Sequence, residues 1–598
     1  MPLRKITGGI LLVGLVVAVM LAGISYKPQQ SAAGEPSRFA SYRELVQYIE
    51  ENTRLVERFS MLFGRPISAD VAGGGAGIMK MEFTAALDAG RQRQAKESST
   101  PDFSGTNNQV RGVDEADIVK TDGNYLYVIS GNRLFIIQAH PADKARKLSE
   151  IKFDGQPAEA FINGDTLVVL GNGPDPETMF INKYDVTDRA EPKLVQNNKC
   201  DGYYVNSRMI GDHVYAVINT PVYRWDANSG KADVVLPRIT TNGQVRTVPP
   251  AEIHYFPYPD RFYRYTTVLT LNIKEAAAPV QSKTFLTGMS QNLYVSQNNI
   301  YLTGSKAPDF ALYTGKLLDG LAAAVPVEIA AKIKAVRNSG QDYDRQLQQV
   351  EEIFDEYLSQ LDYGKALELE EKIAAYRDKW YCDMARDQNK TVIYKLGIND
   401  GQVEYRARGE VDGQVLNQFS MDEHNGYFRI ATTSEGFWFV GPPNPKNNIY
   451  VLDENMQVTG KLTGLAPTER IFSARFMGDR AYLVTFRRVD PLFVIDLKDP
   501  AAPQVLGELK IPGYSDYLHP YDENHLIGIG REVAVGPEPQ PGPVRPMVMP
   551  PPTRVQGVKI ALFDVSNPSA PKEVAKYVVD RDDSDSPALR DHRAVLFS

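Results

Sequence analysis

The chain has 598 residues, which is too long for one small hydrophobic core and requires either several domains or one large repeat architecture. It carries 66 Lys and Arg against 74 Asp and Glu, a net charge of -8, and so lacks the basic surface that nucleic-acid binding requires. The 31 Tyr and 24 Phe, together with 46 Gly and 39 Pro, favour strands interrupted by turns over long helices.

The first predicted element is an apolar helix, because residues 6–26 contain no charged side chain and are long enough as a helix to cross a bilayer. Arg4 and Lys5 precede it, and the positive-inside rule then places the rest of the chain outside the cytoplasm. We predict an uncleaved signal anchor over residues 1–27 and therefore a single-pass protein of the cell membrane. The alternative is a cleaved signal peptide, since small residues suitable for processing lie near its end, and a secreted protein.

Residues 28–108 are predicted to hold an amphipathic helix and a flexible tether. Within residues 39–63, apolar side chains recur at helical spacing among charges, and Gly64 ends the pattern. This helix either packs on the domain that follows or forms a stalk. From Ala72 to Asn108 the sequence is rich in Gly, Ala, Ser and polar residues, which cannot bury enough apolar area to order on their own.

From residue 109 onward the sequence repeats a pattern of four short strands. Pairs joined by a tight polar turn, as in EAFINGDTLVVL, alternate with pairs joined by a turn rich in Asp, Pro and Ala, as in LFVIDLKDPAAPQVLGELKI. The unit is about 40 residues long, the period and strand count of a propeller blade. We predict an all-β fold over residues 109–598, a β-propeller of four-stranded blades, seven complete plus an incomplete eighth that begins at SPALRDHRAVLFS. Since open sheet edges are costly, the incomplete blade predicts either a longer protein or an unusual closure.

Three stretches interrupt the repeat, each between the second and third strands of a blade: residues 219–265, 307–389 and 532–556. Residues 307–389 have helical periodicity and many Glu to Lys or Arg pairings, and are predicted to form a helical insertion. Residues 532–556 are rich in Pro and are predicted to be extended. Since successive strands alternate in direction, all three stretches emerge on one face, which is the predicted binding face. The alternative is that this face merely tolerates insertions.

Acidic residues and histidines recur around the entry to the first strands on that face. The full candidate set is Arg111, Asp114, Glu115, Asp117, Asp516, His519, Asp591 and His592. The carboxylates most simply pair with a cation such as Arg111, and contact with a partner is a second interpretation. Oxygen ligands from such a ring also suit calcium, but the spacing matches no calcium-binding loop. No metal site or cofactor is therefore assigned, and calcium remains an alternative.

The sequence contains no signature of a known catalytic site, and no catalytic residue is assigned. It has no Gly-x-Ser-x-Gly elbow, HExxH motif or phosphate-binding loop. Trp225, Trp380 and Trp438 are too few for the repeated Trp motifs of quinone-binding propellers. With only two cysteines, Cys200 and Cys382, a disulfide scaffold is excluded. Both are predicted to lie on the same face, where they form either one disulfide or two free thiols.

Three phrases carry a family resemblance: VRGVDEADIVKTDG, VTFRRVDPLFVIDLKDPAAPQVLGELKIPGYSDYLHPYDENHLIGIGRE and VQGVKIALFDVSNPSAPKEVAKYVV. They are similar to a family of secreted or envelope-bound prokaryotic proteins with a β-propeller domain distantly related to WD40 repeats. The resemblance covers about residues 108–598. It implies a propeller outside the cytoplasm, with no established reaction or catalytic residues, in a family whose members continue past DHRAVLF.

The predicted function follows from the architecture and the resemblance. We expect a membrane-anchored extracytoplasmic module that binds or scaffolds a partner protein or an envelope polymer, and we do not expect an enzyme. The alternative is an extracytoplasmic hydrolase or lyase that uses acidic residues and histidines at the mouth of the propeller channel.

Overall fold

The computed structural model describes residues 35–63, 104–226, 231–256, 260, 263–275, 278–288, 290–306, 310–339, 343–435, 444–486, 490–535, 553–579 and 584–596. The predicted membrane anchor, most of the predicted tether and the centre of the Pro-rich stretch lie outside these residues. Within the described ranges, no helix is long and apolar enough to cross a membrane.

The first elements precede the repeats and are β1 (Ser37–Arg38), α1 (Tyr42–Phe63) and β2 (Asp114–Glu115). Sheet 1 consists of β3 (Val119–Thr121), β4 (Tyr125–Ser130), β5 (Arg133–Gln138) and β6 (Arg146–Lys152). Sheet 2 consists of β7 (Gln156–Asn163), β8 (Thr166–Asn172), β9 (Thr178–Asp185) and β10 (Lys193–Asp201).

Sheet 3 begins with β11 (Tyr203–Ile210) and β12 (His213–Pro221). An insertion follows that contains β13 (Tyr223–Asp226), β14 (Lys231–Val234), β15 (Arg238–Thr241), β16 (Gln244–Thr247) and β17 (Ile253–Tyr255). The sheet is completed by β18 (Arg264–Asn272) and β19 (Gln281–Thr287).

Sheet 4 begins with β20 (Ser290–Val295) and β21 (Asn299–Ser305). Four helices follow: α2 (Phe310–Ala324), α3 (Val327–Arg337), α4 (Tyr343–Ser359) and α5 (Tyr363–Gln388). The sheet is completed by β22 (Lys390–Asn399) and β23 (Gln402–Asp412).

The last three sheets each have four strands in chain order. Sheet 5 consists of β24 (Met421–His424), β25 (Tyr427–Ser434), β26 (Lys446–Leu452) and β27 (Val458–Leu465). Sheet 6 consists of β28 (Arg470–Met477), β29 (Arg480–Phe486), β30 (Asp490–Asp496) and β31 (Gln504–Ile511). Sheet 7 consists of β32 (Tyr514–Asp522), β33 (His525–Val535), β34 (Thr553–Asp564) and β35 (Lys572–Val578).

Tight turns between first and second strands set this antiparallel pattern. Gly164, Gly211 and Gly478 lie in such turns with φ of 59°, 56° and 53°, a backbone region that side chains with a Cβ rarely adopt. They belong to the NGD, GD and MGD turns that the sequence marks as hairpins. The polar turns therefore fix where each pair of strands reverses.

Consecutive sheets pack face to face through clusters of buried apolar side chains. Separate clusters join sheets 1 and 2, 2 and 3, 3 and 4, 4 and 5, 5 and 6, and 6 and 7. Among the residues that the structure describes, no such cluster joins sheet 7 to sheet 1. The repeats are thus all-β and form many four-stranded sheets, and α-helices occur only before the repeats and in the insertion of sheet 4 among the described residues. Consecutive four-stranded sheets that pack face to face are consistent with a β-propeller.

Helix α1 packs on the body of the protein, which is the first of the two predicted alternatives. Leu45 is buried in the cluster that joins sheets 2 and 3. The ring of Phe39 stacks on Tyr255 of β17 with centroids 4.0 Å apart. The hydroxyl of Tyr48 donates to the backbone carbonyl of Phe256 at 2.7 Å.

The predicted insertions lie between the second and third strands of sheets 3, 4 and 7. The one in sheet 4 is helical, as its periodicity predicts, and has a hydrophobic cluster of its own around Phe354 and Trp380. The one in sheet 3 extends two sheets: β15 pairs with β10, and β17 pairs with β1 and β19. Residues 536–552 of the Pro-rich stretch lie outside the described residues.

The described residues at the predicted start of an eighth blade do not form a strand. Pro587–Leu589 and His592–Ala594 are short 3-10 helices. Leu589 packs in a cluster with Tyr517, Ile529 and Val558 of sheet 7. The expectation of a first strand at this point is therefore corrected, because this segment covers sheet 7 instead of starting another sheet.

Candidate functional site

Two irregular segments, residues 104–117 and 584–596, meet among the first strands of several sheets. We call this region the junction. Within the first segment, β2 pairs with the first strand of sheet 3, and Asp117 forms a bridge with Ala160 in the first strand of sheet 2. First strands of different sheets therefore converge here, which is expected of the innermost strands of a propeller.

Glu115 is buried at the centre of the junction and has several polar partners. Its carboxylate lies 3.4 Å from Nη2 of Arg208 and 3.1 Å from Nε2 of His592. It also accepts hydrogen bonds from the backbone N–H of Gln109 at 2.9 Å and from the side chain of Gln418 at 3.2 Å. Burial alone would raise the pKa of Glu115, but Arg208 and His592 outweigh it and hold that pKa well below its ordinary value. At neutral pH this side chain is an ionised hydrogen-bond acceptor.

Arg593 connects the two segments of the junction to sheet 2. Its Nη1 donates to Glu159 in β7 and to the backbone carbonyl of Ala116. Its Nε donates to Oδ1 of Asp591 at 2.9 Å. Glu159 also accepts a hydrogen bond at 2.7 Å from the hydroxyl of Tyr204 in sheet 3. One guanidinium group thus neutralises two carboxylates and spans both segments.

Among the remaining acidic residues near β2, Asp114 pairs with Lys120 and not with Arg111, the cation suggested from the sequence. Asp114 lies 2.8 Å from Nζ of Lys120. Burial raises the pKa of Asp117, although nearby Arg593 and Lys120 act to lower it. Arg111 is exposed, and its backbone carbonyl accepts a hydrogen bond from Gln297 at 3.0 Å. Asp114 is therefore paired with a cation, and Lys120 takes the place suggested for Arg111.

The two candidate residues of sheet 7 have different neighbours: His519 lies beside Tyr517 at the junction, whereas Asp516 lies near Arg531 and Arg590. Nδ1 of His519 lies 3.2 Å from the hydroxyl of Tyr517. The side chain of Asn107 donates to that hydroxyl at 3.0 Å and to the backbone carbonyl of His592 at 2.9 Å. Burial lowers the pKa of His519, and burial raises the pKa of Asp516 to about 6.

Most of the residues proposed from the sequence therefore meet at the junction. The residues brought together are Asp114, Glu115, Asp117, His519, Asp591 and His592. Arg111 belongs to the first segment of the junction, but its side chain is exposed. Asp516 has Arg531 and Arg590 as its charged neighbours.

Sequence reasoning missed the basic residues of the first strands, although these occupy a repeated position. Each lies opposite a tyrosine of the adjacent second strand. The pairs are Lys120 with Tyr127, Arg208 with Tyr215, and Arg475 with Tyr482. A basic residue followed at constant spacing by a tyrosine across a polar turn is the signal that predicts these positions.

The junction offers ion pairs and no clear metal site. Within the described part of the chain, no group of three or more His, Cys, Asp or Glu residues is placed to hold a metal ion. A calcium site needs several oxygen ligands that are free to face the ion. Asp114 and Glu115 instead face Lys120 and Arg208. The donor set therefore does not fit calcium well.

The cysteines lie in separate parts of the protein, and both thiols are free. Cys200 is buried within β10, near the end of that strand. Burial raises the pKa of its thiol to about 12. Cys382 is half-buried on α5. The disulfide considered from the sequence is absent from the structure.

Comparison with known proteins gives a family and relatives of unknown activity. The sequence model of a family described as "Beta propeller domain" matches residues 103–598. An uncharacterized protein of Methanocaldococcus jannaschii is 34% identical over 501 residues, which cover 83% of this chain and 72% of that protein. An uncharacterized protein of Archaeoglobus fulgidus is 30% identical over 606 residues, which cover 97% of this chain and 87% of that protein.

A solved structure also matches, at low similarity. It is a hypothetical selenium-binding protein from Sulfolobus tokodaii, with a TM-score of 0.29, 7% identity, and coverage of 77% of this chain and 76% of that one.

Proposed function

Because this chain belongs to the β-propeller domain family, we propose that it is an extracytoplasmic module that binds or scaffolds a partner. The partner is a protein or a polymer of the cell envelope, not a nucleic acid. Residues 1–27 would anchor the protein in the membrane, and the alternative is that they form a cleaved signal peptide. The competing function is an extracytoplasmic hydrolase or lyase that uses acidic residues and histidines near the junction.

In this proposal the seven consecutive sheets are blades arranged around one axis. Support comes from the packing of each sheet on the next in chain order. The convergence of first strands at the junction is a second argument, since first strands are innermost in a propeller.

The observation that carries the binding role is the position of the insertions. All three connect a second strand to a third strand, and these connections emerge at the same edge of an antiparallel array. Exposed aromatic side chains occur on them: Trp225 of β13 is 67% exposed and Tyr363 of α5 is 66% exposed. Large aromatic residues are enriched at interfaces and dominate binding energies there. We therefore place the partner on this edge, called the insertion edge.

The junction favours binding over catalysis. Glu115 is held in its ionised form by Arg208 and His592, whereas a general acid needs a raised pKa. Glu159 is engaged by Arg593. The group that best suits the competing hydrolase is Asp516, whose pKa is about 6. Its charged neighbours are Arg531 and Arg590, and both of them pair with Asp585, so the second carboxylate in this environment is already engaged by two cations.

Site-specific photo-crosslinking in the native cell tests the proposed surface. A photoreactive phenylalanine replaces Trp225 or Tyr363 in the full-length chain, and the control replaces Tyr521. Tyr521 is also exposed but lies beside the turn between the first and second strands of sheet 7, at the opposite edge. We expect adducts with an envelope protein or polymer at the first two positions only. Adducts confined to the Tyr521 variant, or none at the insertion edge, would refute the proposal.

A double variant then measures how much the insertion edge contributes. Trp225→Ala with Tyr363→Ala should weaken retention on the crosslinked partner by about 2 kcal/mol, or roughly thirtyfold in Kd, as for interface hot spots. For the competing function, the full-length chain is assayed for turnover of envelope-polymer fragments. Turnover that disappears in Asp516→Asn or His519→Ala would establish the hydrolase or lyase instead.

A further inference from the structure

Three basic side chains occupy equivalent positions on the first strands of sheets 1, 3 and 6. Lys120, Arg208 and Arg475 each lie opposite a tyrosine of the adjacent second strand. Because the positions are equivalent, the acceptors around the three cations can be compared directly. The comparison separates Arg475 from the other two.

Two of these cations are satisfied at the junction. Nζ of Lys120 lies 2.8 Å from Oδ1 of Asp114 and donates to the backbone carbonyl of Glu115 at 3.0 Å. Nη2 of Arg208 donates to the side chain of Gln418 at 2.8 Å and lies 3.4 Å from the carboxylate of Glu115. Each of the two therefore has one carboxylate and at least one further acceptor.

Arg475 has no such acceptor. Its Nη1 is buried without a hydrogen-bond partner. No residue in the described ranges accepts a hydrogen bond from Nε or Nη2 either, but these atoms are not enclosed in the same way, and the residue is half-buried. A small molecule can therefore approach this part of the guanidinium group. Burial lowers the pKa of Arg475, although Tyr517, Asp422 and Glu115 act to raise it.

The two carboxylates that act on Arg475 are already engaged by other cations. Asp422 accepts hydrogen bonds from Nε of Arg429 at 2.9 Å and from Nη2 of the same side chain. Glu115 lies against Arg208 and His592. A buried cation without a close acceptor is unfavourable, and arginine stays protonated at neutral pH. The charge of Arg475 is therefore available to an anion from outside the chain.

Aromatic rings adjoin this guanidinium group. Its Cζ lies 5.2 Å from the centroid of the Phe419 ring. The Phe419 ring is 5.2 Å from that of Tyr517 and 4.7 Å from that of His592, measured between centroids. Rings on this side keep water away, and a charge-assisted hydrogen bond is stronger where water is excluded.

We propose that Arg475 binds the carboxylate group of a small organic acid at the junction. The planar fork of N–H groups in a guanidinium matches a carboxylate in geometry. One available cation is complementary to a monoanion, whereas phosphate carries more charge and has more oxygen acceptors to satisfy. Arg208 shows the same pairing within this chain, because it meets Glu115 from the equivalent position. The inference is independent of the proposed partner at the insertion edge.

Saturation-transfer NMR on the full-length chain tests the site, with acetate as the probe and its methyl protons as the signal. Acetamide has the same shape without the charge and is the matched control ligand, and inorganic phosphate is added as a competitor at constant ionic strength. We expect acetate to bind with a Kd of about 1 mM, and acetamide and phosphate to bind roughly tenfold more weakly or less.

Arg475→Met removes the charge and the fork while it keeps an extended side chain, and acetate binding should weaken about tenfold or more. The control is Arg470→Gln on the same strand, where the exposed arginine pairs with Glu435, and binding should not change. Without ligand, the Tm of Arg475→Met should not fall, because the lost cation has no acceptor. The Tm of Arg208→Met should fall, because Glu115 loses its partner.

Three results would overturn the inference. The first is acetate binding that is absent from the unsubstituted chain or that persists in Arg475→Met. The second is phosphate that displaces acetate at equal or lower concentration, because the site would then select phosphate. The third is a loss of Tm in Arg475→Met as large as that in Arg208→Met, because the guanidinium would then have a structural partner.

Discussion

The carboxylate of Glu115 and the imidazole of His592 lie 3.1 Å apart, although 477 positions separate them in the chain. The first residue stands at the entry to sheet 1, and the second belongs to the segment that leaves sheet 7. Next to them, Arg593 bonds to the carbonyl of Ala116 and to Glu159. Polar contacts at the junction therefore connect the beginning of the repeats to their end.

Removing the negative charge at the centre of the junction should destabilise the protein. Glu115→Gln leaves Arg208 buried without its counter-charge, and such a change costs about 3 kcal/mol or more of unfolding free energy. Urea unfolding of the full chain measures this. The matched control is Glu150→Gln, which removes an exposed partner of Arg133 and Lys147 and should have little effect. Equal losses in the two variants would contradict the structural role of Glu115.

Asp516 should make stability depend on pH in the mildly acidic range. Its pKa is about 6 in the folded protein against an ordinary value of 3.8. Between these values the folded protein holds a proton that the unfolded chain has lost, so the unfolding free energy falls as pH rises from about 4 to about 6. Asp516→Asn cannot titrate and should lack this fall. Parallel profiles of the two proteins, from chemical unfolding at each pH, would contradict the prediction.

The two cysteines should differ in reactivity. Cys382 is half-buried and should react with iodoacetamide in the native protein. Cys200 is buried with a pKa raised to about 12, so it should react only after unfolding. Peptide mass spectrometry before and after denaturation distinguishes the sites. An intact mass that increases by two hydrogens on reduction would show a disulfide and contradict the structure.

The helical insertion should be removable without loss of sheet 4. Ser305 and Thr391 are cross-strand partners, and the N–H of Lys306 donates to the carbonyl of Lys390 at 3.0 Å. Replacing residues 307–389 with Asn-Gly therefore closes β21 and β22 as a tight hairpin. Lys306 loses its contact with Asp387 but keeps Glu410.

We expect the shortened protein to remain folded. Its helical circular dichroism should decrease, while cooperative thermal unfolding persists, because the insertion has its own hydrophobic cluster. Trp380→Ala in the intact chain is the companion variant. It should loosen the insertion while the sheets keep their native unfolding transition. Aggregation of the shortened protein would show that the sheets depend on the insertion.

Much of the fold is predictable because it is encoded locally. Polar turns such as those at Gly164 and Gly211 mark hairpins, and the apolar runs between them mark strands. Helical periodicity likewise identifies residues 307–389. The two-strand extension of sheet 2 by β15 and β16 was not predicted. Those strands are short and polar, and only their pairing with β10 defines them.

The junction is less predictable because its contacts join residues that are distant in sequence. Asp114, Glu115 and His592 stand out as polar residues near first strands. Arg208 lies within a strand, where a local pattern assigns it only to one face. Its ion pair with Glu115 depends on the position of a whole sheet. Arg111, adjacent in sequence to the carboxylates, is not their partner.

The packing of α1 determines which stretch controls the distance between the body and a membrane. Ser37–Arg38 pair with His254 and Tyr255, and Phe39 stacks on Tyr255. The body therefore holds the chain from Ser37 onward. If the proposed anchor over residues 1–27 lies in a bilayer, the short stretch between Lys27 and Ser37 limits how far the body can stand from the membrane.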